Sequence, residues 1–213
     1  MEIIRREKII LLFVAVISLI LFAVLSINVA NGNMDAWNDS VYERIALLIN
    51  PTLTNLMIII NFVGKWYVYL AIALLFLVIP TTRVKIGIPI TFAIVTGAGL
   101  TYILKLCFSI PRPDFNWLVS ASGYGHPSGH ITYGTAFIGV CVCLFLKHTN
   151  HKPLKISVFI LSIAFMLVMG LNRIYLGVHT PTDVIAGYLV GTFVIVSYVL
   201  AFQKLGFEVH GYD

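Results

Sequence analysis

The sequence predicts an all-α polytopic membrane protein, with six transmembrane helices, short interfacial helices and both termini on the cytoplasmic side. Three observations carry that prediction. Of 213 residues, 59% are hydrophobic and 11% charged, with a mean hydropathy of +0.95; a soluble domain is about 45–50% apolar and about 25% charged. The apolar residues gather in runs near the length of roughly 20 that crosses a hydrocarbon core of about 30 Å. The basic residues fall at alternate ends of those runs, as the positive-inside rule requires. This composition excludes a soluble cytosolic domain and a disordered chain. It also excludes a nucleic-acid binder: the net charge of +5 is scattered among apolar runs and forms no basic stripe.

The first run, Ile9 to Ala30, follows Arg5, Arg6 and Lys8. It exceeds the roughly 7–15 apolar residues of a secretory signal, which favours a retained anchor. Asn31 to Asn50 is polar, with Tyr42, Ile45, Leu48 and Ile49 at helical spacing, and reads as an interfacial amphipathic helix. Leu53 to Pro80 is apolar but broken at Gly64-Lys65. The expected division is an interfacial helix through Phe62 and a second span over Trp66–Thr82, with Trp66, Tyr67 and Tyr69 as its aromatic belt. The remaining spans are expected at Val84–Leu106, Ile131–Leu146, Leu154–Leu176 and Val184–Phe202. Together they make a single membrane-embedded domain over residues 1–213.

In this topology Arg5, Arg6, Lys8, Arg83, Lys85, Lys147, Lys152, Lys155 and Lys204 share one side, which the rule assigns to the cytoplasm of a cell membrane. Arg44, Lys65, Lys105, Arg112 and Arg173 fall on the other. Cys107, Cys141 and Cys143 have neither disulfide nor zinc spacing.

Ionisable groups near a membrane core are costly and mark function. They occur here in three clusters, all at outward helix ends. Lys105 precedes Arg112-Pro113 by seven residues; alone, such a lysine reads as one snorkelling to the headgroups. Gly123 to His130 (GYGHPSGH) opens the fourth span, with Ser128 as the expected N-cap and flexible glycines beside exposed amides, a natural phosphate cradle. Asn172 to Asp183 (NRIYLGVHTPTD) closes the fifth span and opens the sixth. Thr180, Pro181 and Asp183 match a capping box there. Asp183 also lies four residues from His179, where a carboxylate on one ring nitrogen sharpens the other as a nucleophile. Three cations without matching carboxylates point to a phosphate, and two histidines beside it to a nucleophile and a general acid.

These residues resemble the three-part signature of the type 2 phosphatidic acid phosphatase superfamily: Lys105-x6-Arg112-Pro113, Pro127-Ser128-Gly129-His130 and Arg173-x5-His179-x3-Asp183. The motifs span 105–183, and the span layout extends the likeness to nearly the whole chain. The resemblance implies a lipid phosphatase in which His179 attacks phosphorus, Asp183 orients it, and His130 protonates the leaving group and then activates water. Lys105, Arg112, Ser128, Gly129 and Arg173 would hold the phosphoryl oxygens, with no metal and no cofactor. Two departures stand out: Asn172 where the family usually has serine, and His126 where it often has an aromatic. The short chain, without large outer loops, favours a lipid in the bilayer, such as phosphatidylglycerophosphate, undecaprenyl pyrophosphate or phosphatidic acid, bound at an extracytoplasmic site. A lipid phosphotransferase with the same site and an anion or lipid transporter are the rival readings.

Overall fold

A computed structural model describes residues 2–204, with side chains from 6 to 202; Arg5 and Lys204, expected on the cytoplasmic side, carry side chains outside the described set. The described residues form helices and connecting turns, with no strand among them. Helix α1 (Glu2–Ala30) is followed by α2 (Asp35–Ala46), α3 (Pro51–Val63), α4 (Trp66–Val78), a single turn α5 (Pro80–Thr82) and a π-helical turn at Arg83–Gly87. Then come α6 (Ile88–Phe108), α7 (Gly129–His148), α8 (Lys152–Tyr175) and α9 (Pro181–Lys204).

Among the described residues, five segments are long and apolar enough to span a membrane, and they match the first, third, fourth, fifth and sixth expected spans. The second is shorter than expected: α4 has 13 residues, about 20 Å at 1.5 Å per residue. Pro80 opens a new turn, and the chain runs through the π-turn into α6 without a loop. Gly87 lets α4 pack closely, since a Cβ there would stand 2.9 Å from the Phe76 carbonyl oxygen. Thr82 Oγ1 and Arg83 Nε donate to the Phe76 and Leu77 carbonyls at 3.0 and 2.8 Å, satisfying the end of α4.

Helices α2 and α3, bent 119° to one another, stand where the two interfacial helices are expected, α2 within Asn31–Asn50 and α3 over the run through Phe62. Tyr42 and Ile45 pack inward as expected, whereas Leu48 is exposed because α2 ends at Ala46 and a turn breaks the periodicity. The expected aromatic belt also divides. Trp66 and Tyr67 are exposed, but Tyr69 is buried and stacks on Phe137 at 4.7 Å, because Tyr69 and Ala73, four residues apart, form the inward face of α4.

Helices α6, α7 and α9 pack together as the interior of the bundle, and α1 lies against α9 with most of its apolar side chains facing outward. Helix α8 turns Ile156, Phe159, Ile160, Leu167 and Leu171 outward, as a lipid-facing helix must. Small residues set the approach of α9 to α7. A Cβ on Gly187 would lie 2.8 Å from Ile131 Cβ and 2.9 Å from the Ser128 carbonyl oxygen. One on Gly191 would lie 2.6 Å from Thr135 Cβ and 2.9 Å from the Thr132 carbonyl oxygen. This is the small-xxx-small contact of membrane helices, and it registers the start of α7 against the start of α9.

Candidate active site

Every ionisable residue of the three clusters lies at one end of the bundle. Lys105 ends α6, Arg112 follows in the connecting segment, His130 begins α7, Arg173 ends α8, and His179 and Asp183 flank the start of α9. Gly177 closes α8 with φ +72°, a left-handed cap that a glycine adopts without strain and that turns the chain toward His179.

The capping box forms. Thr180 N–H donates to Asp183 Oδ2 at 3.0 Å and Asp183 N–H to Thr180 Oγ1 at 3.2 Å. Capping does not exhaust the carboxylate: Oδ2 also lies 3.3 Å from His179 Nδ1. An ionised Asp183 only accepts, so Nδ1 carries the proton and Nε2 keeps its lone pair. That Nε2 lies 3.1 Å from Arg112 Nη1, a donor pointed at the lone pair. His179 is 1% exposed. Burial holds its pKa far below the usual histidine range, at about 3, against the opposing hydrogen bond and charge of Asp183. The ring is therefore neutral at physiological pH.

The cations are positioned by neutral partners. Lys105 Nζ donates to the carbonyls of Tyr124 and Gly125. Arg112 donates to Ser122 and Gly123 carbonyls through Nε at 3.3 and 3.1 Å, to Ser122 again through Nη2 at 2.9 Å, and to Val178 through Nη1 at 2.8 Å. Burial lowers the pKa of its guanidinium, with Asp183 opposing. Arg173, which has no evident partner in the sequence, donates through Nη1 to Asn61 Oδ1 of α3. Three positive charges thus converge with the single carboxylate of Asp183, and that carboxylate is committed to histidines. The excess positive charge suits an anion.

Three motif atoms are buried without a hydrogen-bond partner: Ser128 Oγ, His130 Nε2 and Arg173 Nε. Ser128 occupies the N-cap position but, against expectation, its hydroxyl makes no capping bond to the first turn of α7. Its backbone N–H instead donates to the Asp183 carbonyl at 3.0 Å, tying the second motif to the third. Leaving a buried polar group unpaired costs about 1–3 kcal/mol, so three in one site mark a place built for a ligand. Gly129 opens α7, where first-turn amides lack intrahelical partners.

A cavity of about 670 Å³ opens between the α1–α2 turn and the Phe108–Phe115 segment and reaches Arg112, Thr180 and Asp183. Exposed Asp35, Asp39 and Asp114 also line it, whereas Lys105, His130 and Arg173 lie outside its lining.

Three contributors escape the sequence reading. Asn61 holds Arg173, Asn38 accepts from the Thr182 N–H at 3.2 Å, and Ser26 of α1 lies 2.9 Å from His126 Nε2. Each is a polar residue on an inward face, Asn61 within the apolar run LMIIINFV. A lone amide in such a run is the signal that points to it. Asn172, the departure in the third motif, is buried and donates through Nδ2 to the Met57 carbonyl at 2.6 Å, leaving Oδ1 unpaired.

Fold and site together define a helical membrane protein with a buried, cationic, histidine-bearing centre. The chain belongs to the PAP2 superfamily, whose sequence profile matches residues 86–207. It is 31% identical over 187 residues to an undecaprenyl-diphosphatase of Sulfolobus acidocaldarius, a match spanning 84% of this chain and 86% of that one. Phosphatidylglycerophosphatase B of Bacillus subtilis is 34% identical over 100 residues, covering 45% of this chain and 48% of that one. Among solved structures, the transmembrane PAP2-type phosphatidylglycerolphosphate phosphatase of Bacillus subtilis superposes with a TM-score of 0.82 at 23% identity, over 90% of this chain and 96% of that one. At that identity the likeness speaks to the fold. LpxE of Aquifex aeolicus gives a TM-score of 0.60 at 25% identity, over 76% and 93%.

Proposed function

We propose that this chain hydrolyses a phosphate monoester or pyrophosphate on a membrane lipid, without a metal, through a phosphohistidine on His179. The observation that carries the reading is the state of His179: a neutral ring, its Nδ1 proton committed to Asp183 and its Nε2 lone pair aimed at the cationic centre. Phosphoryl transfer demands positioning and charge neutralisation more than covalent help from the protein. Lys105, Arg112 and Arg173 supply the charge, and Ser128 Oγ and the Gly129 amide the remaining donors. As substrate phosphorus meets Nε2, Arg112 Nη1 turns from the ring to a phosphoryl oxygen. The P–O bond to the leaving group breaks as the N–P bond forms, and His130 gives the leaving oxygen its proton. His130 then takes a proton from water, which attacks phosphorus and returns His179 to its resting form.

The family and the named relatives support a lipid substrate. The undecaprenyl-diphosphatase match, which spans most of both chains, favours a polyprenyl diphosphate over phosphatidylglycerophosphate. The orientation rests on charge. Lys8, Arg83, Lys85, Lys147, Lys152 and Lys155 gather at the end of the bundle opposite the site; by the positive-inside rule this supports a topology with both termini in the cytoplasm and the site on the extracytoplasmic face of the cell membrane.

Phosphate release from undecaprenyl diphosphate and from phosphatidylglycerophosphate, measured on purified protein in detergent with EDTA, tests the reading. Turnover is expected in wild type and absent in His179→Ala. A wild type inert toward both lipids, or an active His179→Ala, overturns it.

A further inference from the structure

The mechanism leaves one buried imidazole unused. His126 is 0% exposed, and its Nδ1 lies 3.0 Å from Asp183 Oδ1, the oxygen that His179 does not use. Its Nε2 lies 2.9 Å from Ser26 Oγ, also fully buried, on α1. The Phe22 ring stacks on it at 6.0 Å and 14°, and Phe108 meets it edge-on at 5.8 Å. Helices α1 and α6 therefore fix the plane of the ring, and Ser26 and Asp183 fix its rotation.

We propose that His126 is a positioning residue for the nucleophile, one member of a relay Ser26–His126–Asp183–His179. An ionised carboxylate offers only acceptors, so the proton of a neutral His126 sits on Nδ1 and Ser26 donates to Nε2. Asp183 then receives an imidazole N–H on each oxygen and a third donor from Thr180. A carboxylate held on both oxygens cannot rotate, so Oδ2 stays on His179 and keeps Nε2 aimed at the site. Hydrogen bonds behind a reactive group commonly change activity about 10–100-fold. The relay also gives α1, which carries none of the three motifs, a part in aiming the nucleophile.

This inference rests on the phosphatase reading, so its test has an arm that needs no turnover. In kinetics, His126→Phe keeps a ring between Phe22 and Phe108 but has no N–H; kcat is expected to fall about 10–100-fold with KM unchanged. His126→Asn restores a donor near the Nδ1 position and is expected to recover most of the loss. Ser26→Ala shows a smaller fall in kcat. Melting temperatures separate these effects from misfolding. A His126→Phe enzyme within twofold of wild type, a rise in KM instead of a fall in kcat, or a His126→Asn as slow as His126→Phe while melting at the wild-type temperature overturns the proposal. In the resting protein at pH 8, ring 15N spectra are expected to show His126 and His179 both protonated at Nδ1. A His126 protonated at Nε2 overturns the relay whatever the substrate. A wild type without turnover overturns the phosphatase reading, and the spectra still decide the relay.

Discussion

The two ends of the bundle use charge in opposite ways. At one end Arg83, Lys85 and Lys152 are exposed, and in the proposed topology they face the cytoplasm. At the other, Arg173, His179 and Asp183 are at most 3% exposed, and each is held by a named partner. A charge in water is interchangeable with its neighbours, whereas a buried one is worth what its geometry allows. The difference predicts that substitutions at the two ends will separate by orders of magnitude.

The largest effect is expected at His179, the proposed nucleophile, and its carboxylate. His179→Ala should show no turnover. Asp183→Asn, which can still cap α9 but no longer fixes the Nδ1 proton, should lose about 10³–10⁴ in kcat, the scale on which a wrong histidine tautomer costs a hydrolase. Next comes Arg173→Gln, for which a loss of about 10²–10³ is expected, as for a deleted transition-state donor. Arg173→Lys should fall between, since it keeps the charge but not the planar fork that meets Asn61. Asn61→Leu leaves the guanidinium in place without its neutral partner, and about a tenfold loss in kcat/KM is expected.

A pH series sharpens the contrast further. His179 stays neutral in the fold down to about pH 3, while the unfolded chain takes up a proton below about 6.5. Folded-state neutrality therefore contributes stability that is complete above about pH 6.5 and is lost as pH falls toward 3. The melting temperature should drop over that window, with a shallower slope in His179→Ala. At the opposite end, Lys85→Gln and Lys152→Gln should leave kcat/KM within about twofold. A tenfold loss from either would break the division between the two ends.

Much of this division was readable in advance. Apolar runs near 20 residues predicted the long helices, because a helix of that length satisfies its own backbone groups in lipid and crosses the hydrocarbon core. Lys105, Arg112, His130, Arg173, His179 and Asp183 stood out because ionisable residues near a membrane core are costly and these recur in three clusters. What stayed hidden has a common cause. Asn38, Asn61 and Ser26 are neutral, cheap to bury and useful only through residues far along the chain: Ser26 lies 100 positions from His126, and Asn61 lies 112 from Arg173. The Ser128 hydroxyl looked like a cap because serine before a helix usually is one; in the fold it is left unpaired. The short second span was hidden because its end is set by the π-turn and by contact with Gly87, neither of which hydropathy records.

Gly187 and Gly191 give this chemistry a dimension that no polar atom carries. The strand-free interior holds His130 on one helix and Asp183 on the next, and the clearance between them is set by two missing methyl groups. Alanine at Gly187 would press on the backbone of Ser128, and backbone cannot swing aside as a side chain does. Every donor, acceptor and charge would survive such a change, yet His130 and His179, the proposed general acid and nucleophile, would no longer stand at their original spacing. Rates of this kind are sensitive to displacements of about 1 Å. Interhelical clearance is therefore a kinetic parameter of the enzyme, adjustable in steps of one carbon, and invisible to any comparison that scores only the reacting groups.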